Sequence, residues 1–466
     1  MHRLTKPLGL VALAWFLAIY LPCLGKGFLK DDFAWIAQSR ITAPRDVVLL
    51  FARNTGFYRP VVSLSFAADD ALFDLRPLGY GLTNCVLLLV AGGLIVRLAR
   101  SWGLPPAGAV AAAGLWALNP HGINMSLLWI SGRTAILLTL FAVLAATAFT
   151  RRRIWAAGVW ALFAMLSKEE AVVLPFILLA WSFVDAPRSD AVRQGIRARL
   201  MVACRSSVPL FLALLIYAVL RSQSGAMTPA SAPAFYRFTF DWRIVVANAV
   251  QYVDRGATFS FAIAALSTLA AWRWPTVDAA SRRLMALGAI WFVGAYALTL
   301  FLPVRSSLYA CFPSVGAALI GATWITIIVS EMGDRARARA LVALALVAAL
   351  SVPVYWARNQ RWETPATLST SVLHQLREIV PAQPRDGVIV LRDRSDTRDD
   401  RLVAAFGTLL PTAIGLVANR PDVNVWVEPP PGDWALAGWR PPAPGAPAAV
   451  FVLRGQTLVP LRNAAQ

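Results

Sequence analysis

Residues 8–33 read LGLVALAWFLAIYLPCLGKGFLKDDF, an apolar run from Leu8 to Leu24 followed within a few residues by the adjacent carboxylates Asp31 and Asp32. About 20 apolar residues cross a hydrocarbon core of roughly 30 Å, so the run is read as a membrane span. Ionised groups at a bilayer surface need water, a partner or a chemical task. Asp31 and Asp32 are therefore the first candidates for chemistry. The run follows a basic N-terminus, as a secretion signal would, but no small-x-small cleavage site comes after it, and it is read as an uncleaved span.

Further apolar segments lie near Leu82 to Val96, Ala107 to Leu118, Thr134 to Phe149, Ile154 to Leu166, Ala171 to Val184, Val208 to Leu220, Phe259 to Trp272, Leu284 to Phe301, Leu308 to Val329 and Leu341 to Trp356. That makes about eleven spans in a chain of 466 residues that is 58% hydrophobic and 15% charged. Several are short enough to need their flanks or burial within a bundle. The expected fold class is an all-α polytopic membrane protein.

A formal net charge of +19 would suggest nucleic acid in a soluble protein. In a membrane protein the basic residues are first sorted by side. Arg3 and Lys6, Arg97 and Arg100, Arg151 to Arg153, the group Arg188, Arg193, Arg197, Arg199 and Arg205, then Arg273, Arg282 and Arg283, then Arg335, Arg337 and Arg339 fall on one face if the spans alternate. By the positive-inside rule that face is cytoplasmic, which puts the N-terminus inside, the C-terminus outside and no nucleic acid among the partners. Four cysteines, at 23, 85, 204 and 311, and three histidines show no metal-ligand spacing, so neither a zinc site nor a disulfide framework is expected.

The outer loop from Gly25 to about Arg76 carries Val47, Val48, Leu50 and Phe51, then Val61, Val62, Leu64, Phe66, Leu72 and Phe73 at roughly helical spacing. Such amphipathic pieces lie along the interface. From about Asn359 the apolar runs stop. Gly387 to Leu391, Val423 to Val427 and Ala449 to Leu453 read as strands, and Pro365 to Val380 and Leu402 to Val417 as helices. The chain thus divides into a membrane domain, 1–358, and a small extracytoplasmic α/β domain, 359–466.

The charge-rich motifs of the apolar part gather on the outer side: Asp31-Asp32, Tyr58-Arg59-Pro60, Asn119-Pro120-His121, Ser131-Gly132-Arg133, Ser167-Lys168-Glu169-Glu170 and Val304-Arg305 through Tyr309. For the Asp pair the chemical role is general base toward an acceptor hydroxyl, and the plainer one is a solvated loop or a helix cap. Adjacent side chains seldom point the same way, so one acts as base, with Asp31 favoured, and the other positions it or contacts a metal. Lys168 with Glu169 and Glu170 fits a phosphate or sugar, or interfacial charge at a helix start. Arg133 and Arg305 suit phosphate because the guanidinium fork grips two oxygens, with snorkelling to headgroups as the alternative. His121 either donates to substrate or satisfies backbone groups freed by Pro120. Asp69, Asp70 and Asp74 read as the wet face of an interfacial helix, and Trp116, Trp129, Trp324 and Trp356 as interface anchors.

In this order the motifs resemble the GT-C class of membrane glycosyltransferases, in particular the protein O-mannosyltransferase branch and its transmembrane, tetratricopeptide-repeat relatives. The matching stretches are Asp31-Asp32-Phe33, Phe57 to Phe66 leading into Gly79 to Asn84, Asn119-Pro120-His121 with Ile130 to Arg133, Ser167-Lys168-Glu169, and Leu308-Tyr309 with Pro313 to Gly316. The repeats are absent, the tail is α/β-like, and Arg305 stands farther from Pro313 than the pattern would have it.

The resemblance implies a polyprenyl-phosphate-linked sugar donor, attacked with inversion by a hydroxyl on a protein, lipid or glycan. Asp31 and Asp32 are then the catalytic pair, and Arg59, His121, Arg133, Lys168, Glu169, Arg305 and Tyr309 the substrate contacts. The transition state is oxocarbenium-like, with charge gathering on the departing phosphate. No cofactor is required, and a divalent metal is possible without being demanded. The expected location is the cytoplasmic (inner) membrane, among its lipids, with the site facing the periplasm or its equivalent. Two rival readings are a flippase or transporter of lipid-linked or anionic solutes, which would place charges near the midplane, and a polymerase or ligase of surface polysaccharide.

Overall fold

The computed structural model describes residues 5–52, 56–185, 196–228, 231–272, 274–393, 401–418, 420, 422–428 and 448–461. Arg3, Arg188, Arg193 and Arg273 lie outside them. The first helix, α1 (Thr5–Tyr20), runs through a short 3-10 turn to Cys23. The segment after it then folds as three short helices, α2 (Asp31–Ser39), α3 (Pro44–Ala52) and α4 (Pro60–Phe73), matching the amphipathic spacing read there. The bundle continues with α5 (Pro77–Ser101), α6 (Pro106–Ala117), α7 (Gly122–Leu128), α8 (Arg133–Thr150), α9 (Ile154–Ser167) and α10 (Leu174–Asp185). Then come α11 (Ile196–Gln223), α12 (Trp242–Ala271), α13 (Ala279–Ala295), α14 (Ser314–Glu331) and α15 (Asp334–Ile379).

Each apolar segment read from the sequence falls on one of these helices, but only six described helices are long and apolar enough by themselves to cross a membrane: Thr5–Cys23, Pro77–Ser101, Ile130–Thr150, Met201–Gln223, Ser314–Glu331 and Asp334–Ala382. The count of eleven is not reached. Helices α6, α9 and α10 have 12, 14 and 12 residues, and α12 carries Gln251, Asp254 and Arg255 partway along. Short spans of this kind are sustained by neighbours: Ala157, Gly158, Ala161 and Ala164 of α9 are buried, and a Cβ on Gly158 would strike the Pro209 carbonyl of α11 at 2.7 Å.

Helix α15 has 46 residues and passes without a break through position 358/359, where the composition changes. Its last turns pack on the α/β unit: β1 (Val388–Asp393), α16 (Arg401–Phe406), α17 (Leu410–Ala418), β2 (Asn424–Val427), β3 (Ala448–Arg454) and β4 (Thr457–Pro460). The sheet order is β2-β1-β3-β4, with β1 parallel to both neighbours and β4 antiparallel to β3. Parallel neighbours need crossovers, and α16 with α17 supplies one between β1 and β2. The core of this unit is continuous with α2 and α4. Phe33, Trp35, Ile36, Val62 and Phe66 belong to the same buried cluster as Leu368, Leu376, Leu391, Leu402 and Phe406.

Candidate active site

At the end of the bundle that carries α2, α4 and α7, a cavity of about 310 Å³ is lined by Asp31, Arg59, Ser131, Lys168, Glu169, Glu170, Arg221, Tyr309 and a rim of aromatic and aliphatic side chains. Residues drawn from six separate stretches of sequence meet there, as the outer clustering of motifs leads one to expect. On α8 an Arg-rich turn lies at the far end from the cavity: Ser131, just before the helix, and Thr134 in its first turn line the cavity, whereas Arg151 to Arg153 follow its last turn.

Asp31 and Asp32 open α2, where consecutive side chains diverge by about 100°. The Asp31 side chain faces the cavity and accepts no hydrogen bond from another described residue. The protein around it raises its pKa, opposed by the charges of Arg59 and Lys30. Asp32 is fully buried. Its Oδ2 accepts the Leu29 N–H at 2.8 Å, and its Oδ1 accepts the Ser131 N–H at 2.7 Å together with the Ser131 hydroxyl. Burial pushes its pKa up to about 7 against those donors. The turn that delivers Ser131 is tight, since a Cβ on Gly132 would meet the Ser126 backbone at 2.6 Å.

Two ion pairs form the opposite wall. Arg59 grips Glu169 with both arms, Nε to Oε2 at 2.9 Å and Nη2 to Oε1 at 2.6 Å. Burial alone would raise the Glu169 pKa, but the Arg59 guanidinium overrides it and holds the carboxylate at about 2. Lys168 Nζ lies 2.6 Å from Glu170 Oε1 and 4.9 Å from the centre of the Tyr309 ring. Arg221 differs from both: it donates to the neutral acceptors Tyr217 OH at 3.3 Å and Met227 O at 2.9 Å, and among the described residues no carboxylate pairs with it. No motif marked Arg221 in the sequence. The available signal was an arginine one turn beyond Tyr217 at the outer end of an apolar run.

Of the residues expected to contact substrate, Arg59, Lys168, Glu169 and Tyr309 line the cavity, and His121, Arg133 and Arg305 do not. Arg133 is fully buried. It pairs with Asp69, donates to Asn84 Oδ1 at 2.6 Å and Ser65 O at 3.1 Å, and lies over the Phe66 ring, tying α4, α5 and α8 together. Asp69 is correspondingly buried and not part of a wet face. Arg305 is exposed, with Nε on Asn248 Oδ1 at 2.7 Å. His121 faces Arg358, whose Nη2 is 2.7 Å from its Nδ1. Burial, then the Arg358 charge, lowers its pKa to about 4, so it is neutral near pH 7. Two tryptophans read as interface anchors lie elsewhere. Trp116 is buried with Nε1 on Cys311 O at 2.9 Å, and Trp129 lines the cavity, stacked on Trp362 at 6.0 Å. Among the described residues no three His, Cys, Asp or Glu side chains converge as metal ligands.

No family model matches the chain. A stretch of 124 residues is 33% identical to the Protein O-mannosyl-transferase Tmtc1 of Drosophila melanogaster, covering 24% of this chain and 14% of that protein. Among solved structures, the chain is similar to the oligosaccharyltransferase of Archaeoglobus fulgidus in the apo form, with a TM-score of 0.50 and 14% identity over 90% of this chain and 64% of that one. ArnT from Cupriavidus metallidurans bound to undecaprenyl phosphate aligns over 95% of this chain and 92% of that one, with a TM-score of 0.43 and 13% identity. The match thus spans a small part of the curated relative and just under two thirds of the oligosaccharyltransferase. The fold is that of the GT-C membrane proteins.

Proposed function

We propose that this GT-C-fold chain is an inverting glycosyltransferase that moves a sugar from a polyprenyl-phosphate carrier to a hydroxyl acceptor on the extracytoplasmic side of the cytoplasmic membrane. The observation that carries the proposal is the cavity, which sets an unpaired carboxylate, Asp31, in one space with the uncompensated guanidinium of Arg221 and the ion-paired Arg59 and Lys168. The partial likeness to an O-mannosyltransferase and the oligosaccharyltransferase fold support the same reading.

In the proposed step, Asp31 takes the proton of the acceptor hydroxyl as its oxygen attacks the anomeric carbon. The bond from that carbon to the phosphate oxygen breaks, and its electron pair leaves on the phosphate. Fixed cations at the departing oxygens stabilise the charge that develops there. Arg221 needs no rearrangement to do this, whereas Arg59 and Lys168 share phosphate with the glutamates that orient them. Asp32 takes no part in proton transfer: it fixes Ser131 and the first turn of α2. Transfer is favoured over transport because the polar cavity occupies one end of the bundle, and the cavity toward the other end is apolar, lined by residues such as Leu8, Val11, Phe259 and Leu344.

The test is a purified-protein assay with polyprenyl-phosphate-linked hexoses and a panel of hydroxyl acceptors, read by mass spectrometry. Comparison of lipid and glycan pools in a strain lacking the protein supplies the acceptor class. Transfer that disappears in Asp31→Asn is the expected result. Wild-type protein that binds no such donor, and a deletion strain with unchanged lipid-linked sugars, overturn the proposal.

A further inference from the structure

The turn that presents Asp31 is held from the C-terminal end of the chain. Lys30, the residue before it, has φ 45° and ψ −120°, a backbone conformation that side-chain-bearing residues rarely adopt. Such a conformation is strained and persists only where the surroundings impose it. The surroundings here are the α/β unit. The Lys30 N–H donates to the Ala405 carbonyl at 3.0 Å, and the Phe33 ring stacks on Phe406 at 5.9 Å with an interplanar angle of 23°. Phe406 is fully buried, and a Cβ on Gly407 would lie 3.8 Å from Lys30 Cγ. Helix α15 packs against the residues that lead into the turn: the Thr370 hydroxyl donates to Lys26 O at 2.8 Å, and a Cβ on Gly27 would strike the Ala366 carbonyl.

We propose that the α/β unit is a positioning element for the reaction, with Ala405 and Phe406 of α16 holding the Lys30–Phe33 turn in the orientation that aims Asp31 into the cavity. The membrane domain contributes the other restraint, through Ser131 on Asp32. The two restraints act on neighbouring residues from opposite sides, so the carboxylate direction depends on both being made. This inference rests on the reading of Asp31 as the base. The coupling between α16 and the turn is measurable without it.

The test uses the full-length protein and the variants Phe406→Ala, Phe406→Leu and Lys30→Gly. Hydrogen–deuterium exchange is the first readout. Phe406→Ala is expected to speed exchange of the 30–36 amides while the helices around Arg133 keep their protection, and Phe406→Leu to restore most of the wild-type pattern. Lys30→Gly adopts the unusual dihedral without strain, so added to Phe406→Ala it is expected to restore part of the lost protection. In the transfer assay, Phe406→Ala should lower kcat by about ten- to a hundred-fold, the scale of a small misplacement of reacting groups. The donor KM should stay within about two-fold, because Arg59, Lys168 and Arg221 are untouched. Unchanged exchange at 30–36 in Phe406→Ala overturns the coupling. Faster exchange with wild-type kcat overturns the positioning role, as does a loss of kcat no larger than the loss of folded protein. A wild-type chain without transfer activity defeats the glycosyltransferase reading and with it the catalytic half of this proposal, leaving exchange to decide the mechanical half.

Discussion

Successive residues of a helix point about 100° apart, so the first turn of α2 turns one aspartate to the cavity and its neighbour into the protein. The sequence supported a division of labour between Asp31 and Asp32 for that reason, but the receiver of Asp32, the Ser131 backbone and hydroxyl, comes from a turn 99 residues away and leaves no local trace. Asp31→Asn keeps the shape and loses the proton acceptor. Transfer should fall by about a hundred- to ten-thousand-fold with donor binding unchanged, measured by single-turnover rate and equilibrium binding side by side. Because the Asp31 pKa is raised, the acidic limb of kcat/KM should sit above the ordinary carboxylate value of about 3.9. Asp32→Asn behaves differently. An amide placed between the Leu29 and Ser131 donors opposes one of them, which costs about 1–3 kcal/mol of stability. The folded Asp32 keeps its proton up to about pH 7, and the unfolded chain releases it near 3.9. Its protonation therefore contributes stability that is fully present below about pH 4 and is lost as pH rises through 7. Thermal denaturation in detergent should show that slope in the wild type and a flatter one in Asp32→Asn.

At the scale of elements, two arginines have separate tasks, one singled out in the sequence for its guanidinium fork and one that no motif marked. Arg133 sits at the start of α8 and is consumed in joining α4 and α5 to it, and Arg221 sits in the last turn of α11 with only neutral acceptors. Arg133→Ala leaves Asp69 buried without its partner, and expression or melting temperature should drop sharply, by about 3–5 kcal/mol in stability. Arg221→Ala should leave the fold intact and weaken donor binding by about ten- to a hundred-fold, the cost of one hydrogen-bonded charge contact. Equal loss of stability in both variants would mean that Arg221 is structural as well. The strands β1, β2 and β3 were legible because β-branched residues crowd between Pro and Gly. The edge strand β4 was not: Thr457–Pro460 is only four residues long and ends on a proline. The continuity of α15 was hidden by Pro353 and Pro365 and by the polar run from Asn359 to Glu363, which mark the exit from an apolar environment and not the end of the helix.

At the scale of the molecule, hydropathy alone placed every apolar segment on a helix, because burial in lipid leaves no other way to satisfy the backbone. It could not count spans, since α10 reads as apolar as a full span and is only 12 residues long. The segregation of charge was legible on α8, where Arg151 to Arg153 follow the end opposite the mixed acids and bases of the cavity. If the spans alternate as the Arg-rich turns require, a reporter active only outside the cytoplasm, fused after residue 461, should give signal, and one active only in the cytoplasm should not. The opposite result with intact protein would put the α/β unit and the cavity on the inner side. Helix α15 adds a constraint of another kind. Forty-six residues at about 1.5 Å each make a rod of roughly 70 Å, more than twice the thickness of a hydrocarbon core. Such a rod transmits angle as well as height, as a drive shaft does. One residue inserted between Trp356 and Pro365 would lift the α/β unit by about 1.5 Å and rotate it by about 100°, carrying Phe406 away from Phe33, whereas loops elsewhere absorb an insertion without a change of phase.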